Sequence, residues 1–206
     1  MDTFSIAFVC TGNRFRSPLA AAFVDRLAVG LPVSTQSYGT LPLEGAPALP
    51  EAVEIARSCG VSLAKHRSRY LDNASLTDVD LLIGFEPLHV QQAVVDAQAA
   101  RERSFMLRDL ISLLAGAGPA ASDEDAVRRA RSLVARAGER AADAPSLRAS
   151  EMRDPFGGPW KVYRQSAAEI RELSIELAQL LFGVGDSRRL APVPEKPGRG
   201  RATLRR

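Results

Sequence analysis

The opening of the chain constrains its fold more tightly than any other segment. Phe4 to Val9 (FSIAFV) is an apolar run of β-branched and aromatic residues that stops at Cys10, as a buried central strand does. A polar turn containing Gly12 and Asn13 follows, and then a helical pattern in which Leu19, Phe23 and Leu27 recur with interleaved alanines. Ser17 suits the N-cap of that helix. Pro18 suits its first position, where a missing N–H is no loss. Gly30 and Pro32 close it. A strand feeding a helix through a turn of this kind is a unit of α/β architecture, and the rest of the chain must be compatible with it.

The remaining pattern is compatible. Val33 to Tyr38 reads as a second strand, Glu51 to Cys59 as a helix, Asp80 to Ile83 as a third strand, Pro87 to Ala97 as a helix and Ser104 to Leu107 as a short fourth strand. The alternation predicts a three-layer, doubly wound α/β fold on a four-stranded parallel sheet, with the ligand where strand ends meet helix starts. The Cys10 turn lies at that place. From 115 to 149 the composition shifts to Ala, Arg, Asp and Glu, with Val127, Leu133 and Val134 the only large apolar residues of a predicted helix over 123–139. This reads as an exposed helical insertion. Lys161 to Phe182 is a strong final helix whose stripe of Ile170, Leu173, Leu177, Leu180 and Leu181 is expected to pack on the sheet.

Charge narrows the function classes once its position is considered. The chain has 206 residues and a formal net charge of +3. Residues 186–206 carry seven basic side chains against two acidic ones, which leaves residues 1–185 at −2. The basicity therefore belongs to a Pro/Gly/Arg tail with little apolar content, expected to be a disordered end or an electrostatic tether to an anionic partner. One domain over 1–185 and a tail over 186–206 is the resulting division. No basic sheet interleaved with aromatics and no helix-turn-helix pattern accompanies the tail, so a nucleic-acid partner is not expected. Two Cys and two His build neither a disulfide framework nor zinc-ligand spacing, and no metal or cofactor is expected. No apolar run approaches the roughly 20 residues of a membrane span, and Met-Asp-Thr-Phe lacks the basic start of a secretory signal. The expectation is a cytoplasmic protein.

The turn itself reads Cys10-Thr11-Gly12-Asn13-Arg14-Phe15-Arg16-Ser17. A loop wrapped at a helix start turns backbone N–H groups toward one centre, and the helix dipole adds positive potential. An anion is the natural guest. A cysteine at the base of such a cradle is expected to have its thiolate stabilised and so to act as a nucleophile. Arg16 supplies a planar fork for two oxygens of a phosphoryl group. Gly12 and Asn13 tolerate the left-handed torsions that a loop folded round an oxyanion requires. Ser17 is placed to donate to the Cys10 sulfur. Phosphoryl transfer also needs a proton donor for the leaving oxygen, and Asp154 on the rigid Asp154-Pro155 turn, ahead of Phe156-Gly157-Gly158, is the candidate.

These residues carry a resemblance. VCTGNRFRSP, then QSYGT, KHRSR, DLLIGFEPLHV and the DPFGG segment, in that order through residues 4–183, resemble the low-molecular-weight protein tyrosine phosphatases of bacterial type. The resemblance implies attack by Cys10 on phosphotyrosine, a cysteinyl-phosphate intermediate, Arg16 as transition-state stabiliser and Asp154 as general acid and then base. It implies substrate binding by Thr11, Gly12, Asn13, Arg14, Phe15, Ser17 and Phe156, and bracing of the loop by Asn13 and His66. His89 has no such support and is read as structural. The implied partner is a phosphotyrosine-bearing protein, with bacterial tyrosine kinases that regulate exopolysaccharide export among the family's partners.

Three departures from the family pattern stand out: Phe15 replaces a frequent second cysteine, Phe156 stands where tyrosines often stack on the substrate ring, and Arg14 occupies an often apolar position. Two alternatives remain at this stage. A thioredoxin-coupled arsenate reductase would need two further thiols, and only Cys59 is available. A non-catalytic phosphotyrosine-binding module would be expected to have lost one of Cys10, Arg16 and Asp154.

Overall fold

The structure is a computed structural model and describes residues 2–118, 125–143 and 151–197. Its elements follow in the order β1 (Phe4–Cys10), α1 (Arg16–Leu27), β2 (Val33–Gly39), α2 (Pro50–Ser58), β3 (Leu81–Gly84), α3 (Pro87–Val95), β4 (Ser104–Met106), α4 (Leu107–Leu114), α5 (Ala126–Asp143) and α6 (Trp160–Phe182). Among the described residues the sheet has four strands in the order β2-β1-β3-β4, all parallel. The chain moves outward from β1 to β2 and then crosses to β3 on the other side of β1. The carboxyl ends of β1 and β3 therefore flank a topological switch point, where open α/β sheets bind ligands.

Both faces of the sheet are covered, which explains why β1 reads as a continuous apolar run. Phe4, Ile6 and Phe8 join a core with α1, α2, α4, α5 and α6, whereas Ala7 and Val9 join Leu82, Val90 and Ala93 in a second core under α3. The sheet is thus the middle of three layers. Strand and helix ranges fall within a few residues of those predicted. Helix α4 was not anticipated, because it follows β4 with no intervening turn residue.

Two expectations are corrected. The predicted insertion at 115–149 does contain a helix, but α5 is part of the core and not an exposed addition. Val127, Ala130, Leu133, Val134 and Ala137 are all buried. Alanines at helical spacing let α5 approach closely, so few large residues are needed. At Gly138 an added Cβ would lie 2.4 Å from the Glu102 carbonyl oxygen. Arg131, on the same helix, pairs with Asp2 and, at 2.8 Å, with Asp80. Residues 119–124 and 144–150 of this stretch lie outside the described residues.

The second correction concerns the tail. Leu190 is fully buried, and the segment from Asp186 to residue 197 is docked on the domain. Buried Arg171 of α6 donates from Nε to the carbonyls of Leu190 (3.2 Å) and Ala191 (3.0 Å) and from Nη2 to that of Ser187 (3.1 Å). The Ala191 N–H donates to the Cys59 carbonyl at 3.2 Å. A guanidinium buried in α6 satisfies the backbone that an apolar-poor segment could not otherwise hide. The predicted division at 185 is therefore not a structural boundary, and the rest of the tail, 198–206, lies outside the described residues.

Candidate active site

The site grows out of the junction between β1 and α1. Asn13 takes the left-handed conformation (φ 51°) that turns the loop, whereas Gly12 does not use it. Glycine is required at a different place: a Cβ on Gly39, at the end of β2, would meet the Asn13 nitrogen at 2.9 Å. The loop is packed that tightly against the sheet. Helix α1 begins at Arg16 with Phe15 as N-cap and no capping side chain. Ser17 is accordingly not the cap. Its hydroxyl is turned beneath the loop, where it lies 3.0 Å from Cys10 Sγ, accepts from Asn13 Nδ2 at 2.9 Å and reaches the Tyr38 carbonyl at 3.2 Å.

That arrangement has a chemical consequence. With a thiol, S–H donates to Ser17 and Ser17 donates to Tyr38. With a thiolate, the Ser17 proton turns to the sulfur. The Asn13 N–H also donates to Cys10 Sγ, at 3.2 Å. Asn13 is itself held on three sides, because its carbonyl accepts from His66 Nε2 at 2.7 Å, its Oδ1 accepts from the Arg69 N–H at 2.9 Å and its Nδ2 donates to Ser17. Burial, with help from the charges of Arg69 and Arg67, holds His66 below its ordinary range despite the Asn13 bond, so the ring is a neutral donor.

Arg16 is the largest fully buried side chain of the protein's described residues, at 1% exposure. Its Nη1 donates to the Glu86 carboxylate and to the Met152 carbonyl (2.8 Å), and its Nη2 donates to Thr11 Oγ1 (2.9 Å) and to Asp154 Oδ2 (2.7 Å). Two carboxylates and a carbonyl offset the cost of burying the charge. Asp154 is brought to Cys10 from far along the chain by its own segment: the Met152 N–H donates to the Phe85 carbonyl at 2.8 Å, and Asp154 Oδ1 accepts from the Phe156 N–H at 3.1 Å. The Gly157 N–H donates to Tyr163 of α6 at 3.0 Å.

A cavity of about 120 Å³ opens over this junction. Cys10, Arg16 and Asp154 all line it, as do Thr11, Gly12, Arg14, Phe15 and Phe156. Asn13 and Ser17 lie behind the loop, fully buried, and act as its supports. Phe15 packs on Tyr163 with ring centroids 5.1 Å apart, whereas Phe156 is 69% exposed. Arg14 Nε donates to the Pro47 carbonyl at 2.7 Å. Leu41, Leu43 and Leu49 complete the walls.

Four features were missed in the sequence. Glu86 holds Arg16, the two exposed leucines 41 and 43 shape the mouth, and His89 touches the loop through Thr11 at 3.1 Å. Their sequence signal is position just beyond β2 and β3, the strand ends that border the switch point, together with the DLLIGFEPLHV segment for Glu86 and His89. Among the described residues no group of three or more His, Cys, Asp and Glu side chains could hold a metal ion. Cys10 and Cys59 are both free and buried.

A cysteine and an arginine with five residues between them, on a loop that joins the first strand of a parallel sheet to a helix, place the molecule among phosphatases built on a phosphate-binding loop. Comparison with known proteins narrows this. Residues 5–117 match the family model described as low molecular weight phosphotyrosine protein phosphatase, and the chain belongs to that family. It is 27% identical over 179 residues to a protein-arginine-phosphatase of Geobacillus stearothermophilus, covering 86% of this chain and 96% of that one. It is 28% identical over 135 residues to the low molecular weight protein-tyrosine-phosphatase Etp of Escherichia coli, covering 66% and 90%. The crystal structure of a YwlE mutant from Bacillus subtilis superposes with a TM-score of 0.61 at 27% identity, covering 87% of this chain and 99% of that one. The parallel four-stranded α/β fold is the one these structures share.

Proposed function

We propose that this protein hydrolyses phosphotyrosine in proteins, with Cys10 as nucleophile, Arg16 as stabiliser of the transferring phosphoryl group and Asp154 as general acid and base. The observation that carries the reading is the meeting of these three side chains on one cavity, although Asp154 is 138 residues from Arg16 in sequence. A phosphate entering the cavity competes with Asp154 for Arg16 Nη2. Asp154, released from Arg16 and carrying the proton that the Cys10 thiol gives up, protonates the phenolate oxygen as Cys10 sulfur forms its bond to phosphorus and the P–O bond breaks. In the second step Asp154 takes a proton from water as the water oxygen attacks phosphorus. The S–P bond breaks, and the departing thiolate accepts the Ser17 and Asn13 donors. Thr11, Gly12, Asn13, Arg14, Phe15 and Ser17 form the binding loop, braced by His66, and Phe156 forms its rim.

Phosphotyrosine is favoured because Leu41, Leu43, Leu49 and Phe156 give the mouth apolar walls suited to a phenyl ring. A second reading, phosphoarginine, draws on the similarity to the Geobacillus arginine phosphatase over 96% of its length. A guanidinium at the mouth would meet Arg14, and the lining offers one carboxylate, Asp154, already on Arg16. The partner in this proposal is a phosphotyrosine-bearing protein, a bacterial tyrosine kinase being one such protein. No helix among the described residues is long and apolar enough to cross a membrane.

The test compares p-nitrophenyl phosphate, a phosphotyrosyl peptide and a phosphoarginyl peptide as substrates, in chelator. The wild type is expected to prefer the phosphotyrosyl peptide in kcat/KM. Cys10→Ser should abolish turnover, and Arg16→Ala and Asp154→Ala should each lower kcat by about 10²–10⁴-fold. A preference for phosphoarginine selects the second reading. A folded, reduced wild type that binds phosphopeptide without turnover would establish a binding module instead.

A further inference from the structure

The polarity of one hydroxyl in the loop follows from its neighbours. Thr11 Oγ1 lies 2.9 Å from Arg16 Nη2 and 3.1 Å from His89 Nε2. A guanidinium nitrogen only donates. The direction of the His89 contact is settled at the far side of the ring, where Nδ1 accepts from the backbone N–H groups of Phe85 (3.3 Å) and Glu86 (3.1 Å). The ring proton must then sit on Nε2, pointing at Thr11. Burial, and next the positive charge on Arg16, push His89 down to about 3, so the ring stays neutral in that one tautomer.

Both acceptor positions on Thr11 Oγ1 are therefore filled, and the one remaining hydroxyl hydrogen-bonding capacity is its proton. Thr11 lines the cavity with Cys10 and Arg16. We propose that His89 is a positioning residue which, together with Arg16, commits the Thr11 side chain to donate its proton to a phosphoryl oxygen held in the cavity. The proposal rests on the phosphatase reading and adds to the loop a side-chain donor whose direction is set before the substrate arrives. A donor fixed in advance needs no reorganisation as charge moves onto the phosphoryl oxygens, which is where electrostatic stabilisation acts most strongly. The arrangement also explains why a buried histidine faces the loop at all: a neutral ring with Nδ1 already occupied can only donate through Nε2.

The test measures inhibition by inorganic phosphate, and kcat and KM for p-nitrophenyl phosphate, in Thr11→Val, Thr11→Ser, His89→Leu and Arg16→Lys and in pairs of them. Thr11→Val keeps the shape and removes the hydroxyl. It is expected to weaken phosphate inhibition and kcat/KM by about 10-fold or more, the range for a hydrogen bond to a charged group. Thr11→Ser should restore both to within about 3-fold. The loss from Thr11→Val should persist in the Arg16→Lys background, because the hydroxyl acts on the anion directly. His89→Leu should cost about 3- to 10-fold alone and nothing further once Thr11 is Val. Phosphate inhibition unchanged in Thr11→Val, or a Thr11→Val effect that vanishes beside Arg16→Lys, would overturn the proposal while leaving the phosphatase reading intact. A folded wild type that neither binds inorganic phosphate nor hydrolyses p-nitrophenyl phosphate would overturn both.

Discussion

Cys10 and Cys59 are both free, yet their surroundings prepare them for different chemistry. Cys10 faces the cavity, with the Asn13 N–H and the Ser17 hydroxyl directed at its sulfur. Cys59 is fully buried, its thiol is pushed up to about 11 chiefly by that burial, and its carbonyl lies under the docked C-terminal segment. It is a poor resolving thiol. Because Phe15 stands where relatives often have a second cysteine, prolonged hydrogen peroxide should inactivate the enzyme in a way dithiothreitol does not reverse. Phe15→Cys should make the loss recoverable. Full recovery of the wild type would contradict this. The two histidines give a second prediction. Both have folded-state values below the ordinary one, and His89 lies near 3. Below pH 6.5 the unfolded chain takes up protons that the folded chain resists, so their stabilising effect is complete above that pH and is lost progressively as pH falls toward 3. Chemical denaturation at stepped pH should show this decline, and it should be shallower in His89→Gln.

Among the elements, α5 most changes the picture of the molecule. Its Ala and Val face is core, so Leu133→Ala should cost about 2–4 kcal/mol in urea unfolding, whereas Arg136→Ala on the exposed side should stay within about 0.5 kcal/mol. Equal effects would mean that the helix is peripheral after all. Gly138→Ala should also destabilise, since its Cβ would strike the Glu102 backbone. Strand β2 matters through its last residue. Gly39→Ala drives a methyl into the Asn13 backbone and should lower kcat more than it lowers stability, because the displaced loop is the one that carries Cys10.

At the scale of the whole molecule, the C-terminal segment closes the core beside α2 and α6. Truncation after residue 185 removes buried Leu190 and strips three carbonyl partners from buried Arg171. A leucine of this kind is worth about 2–5 kcal/mol, and Tm should fall by roughly 5–15 °C. Arg171→Met, which keeps volume and removes the donors, should fall part of the way. Unchanged melting after truncation would return the segment to the status of a tail. The segment 151–158 bridges the molecule in another sense: it touches Phe85, just beyond β3, through Met152, α1 through Asp154 and α6 through Gly157, so the cavity is complete only when all three are in place.

The nucleophile loop was legible because a buried strand, a Gly-Asn turn and a helix start are local features, written within a single stretch from Phe4 to Leu27. The parallel sheet followed from alternation, and Arg16 and Asp154 followed from residue type and motif. By itself, then, the sequence determined the fold class, the family and the place of the turn that carries Cys10 and Arg16. What it could not decide was how polar groups share partners across distant segments. Ser17 looks like a cap by position, but its hydroxyl is turned to the buried sulfur and Asn13 and not to the helix start. His89 looks idle until the first turn of α3 sets it beside Thr11. The C-terminal segment looks too polar to order until Arg171 takes up its carbonyls. Hydrogen-bond satisfaction in a closed interior depends on which groups the fold brings within about 3 Å of one another, and only the tertiary structure decides that.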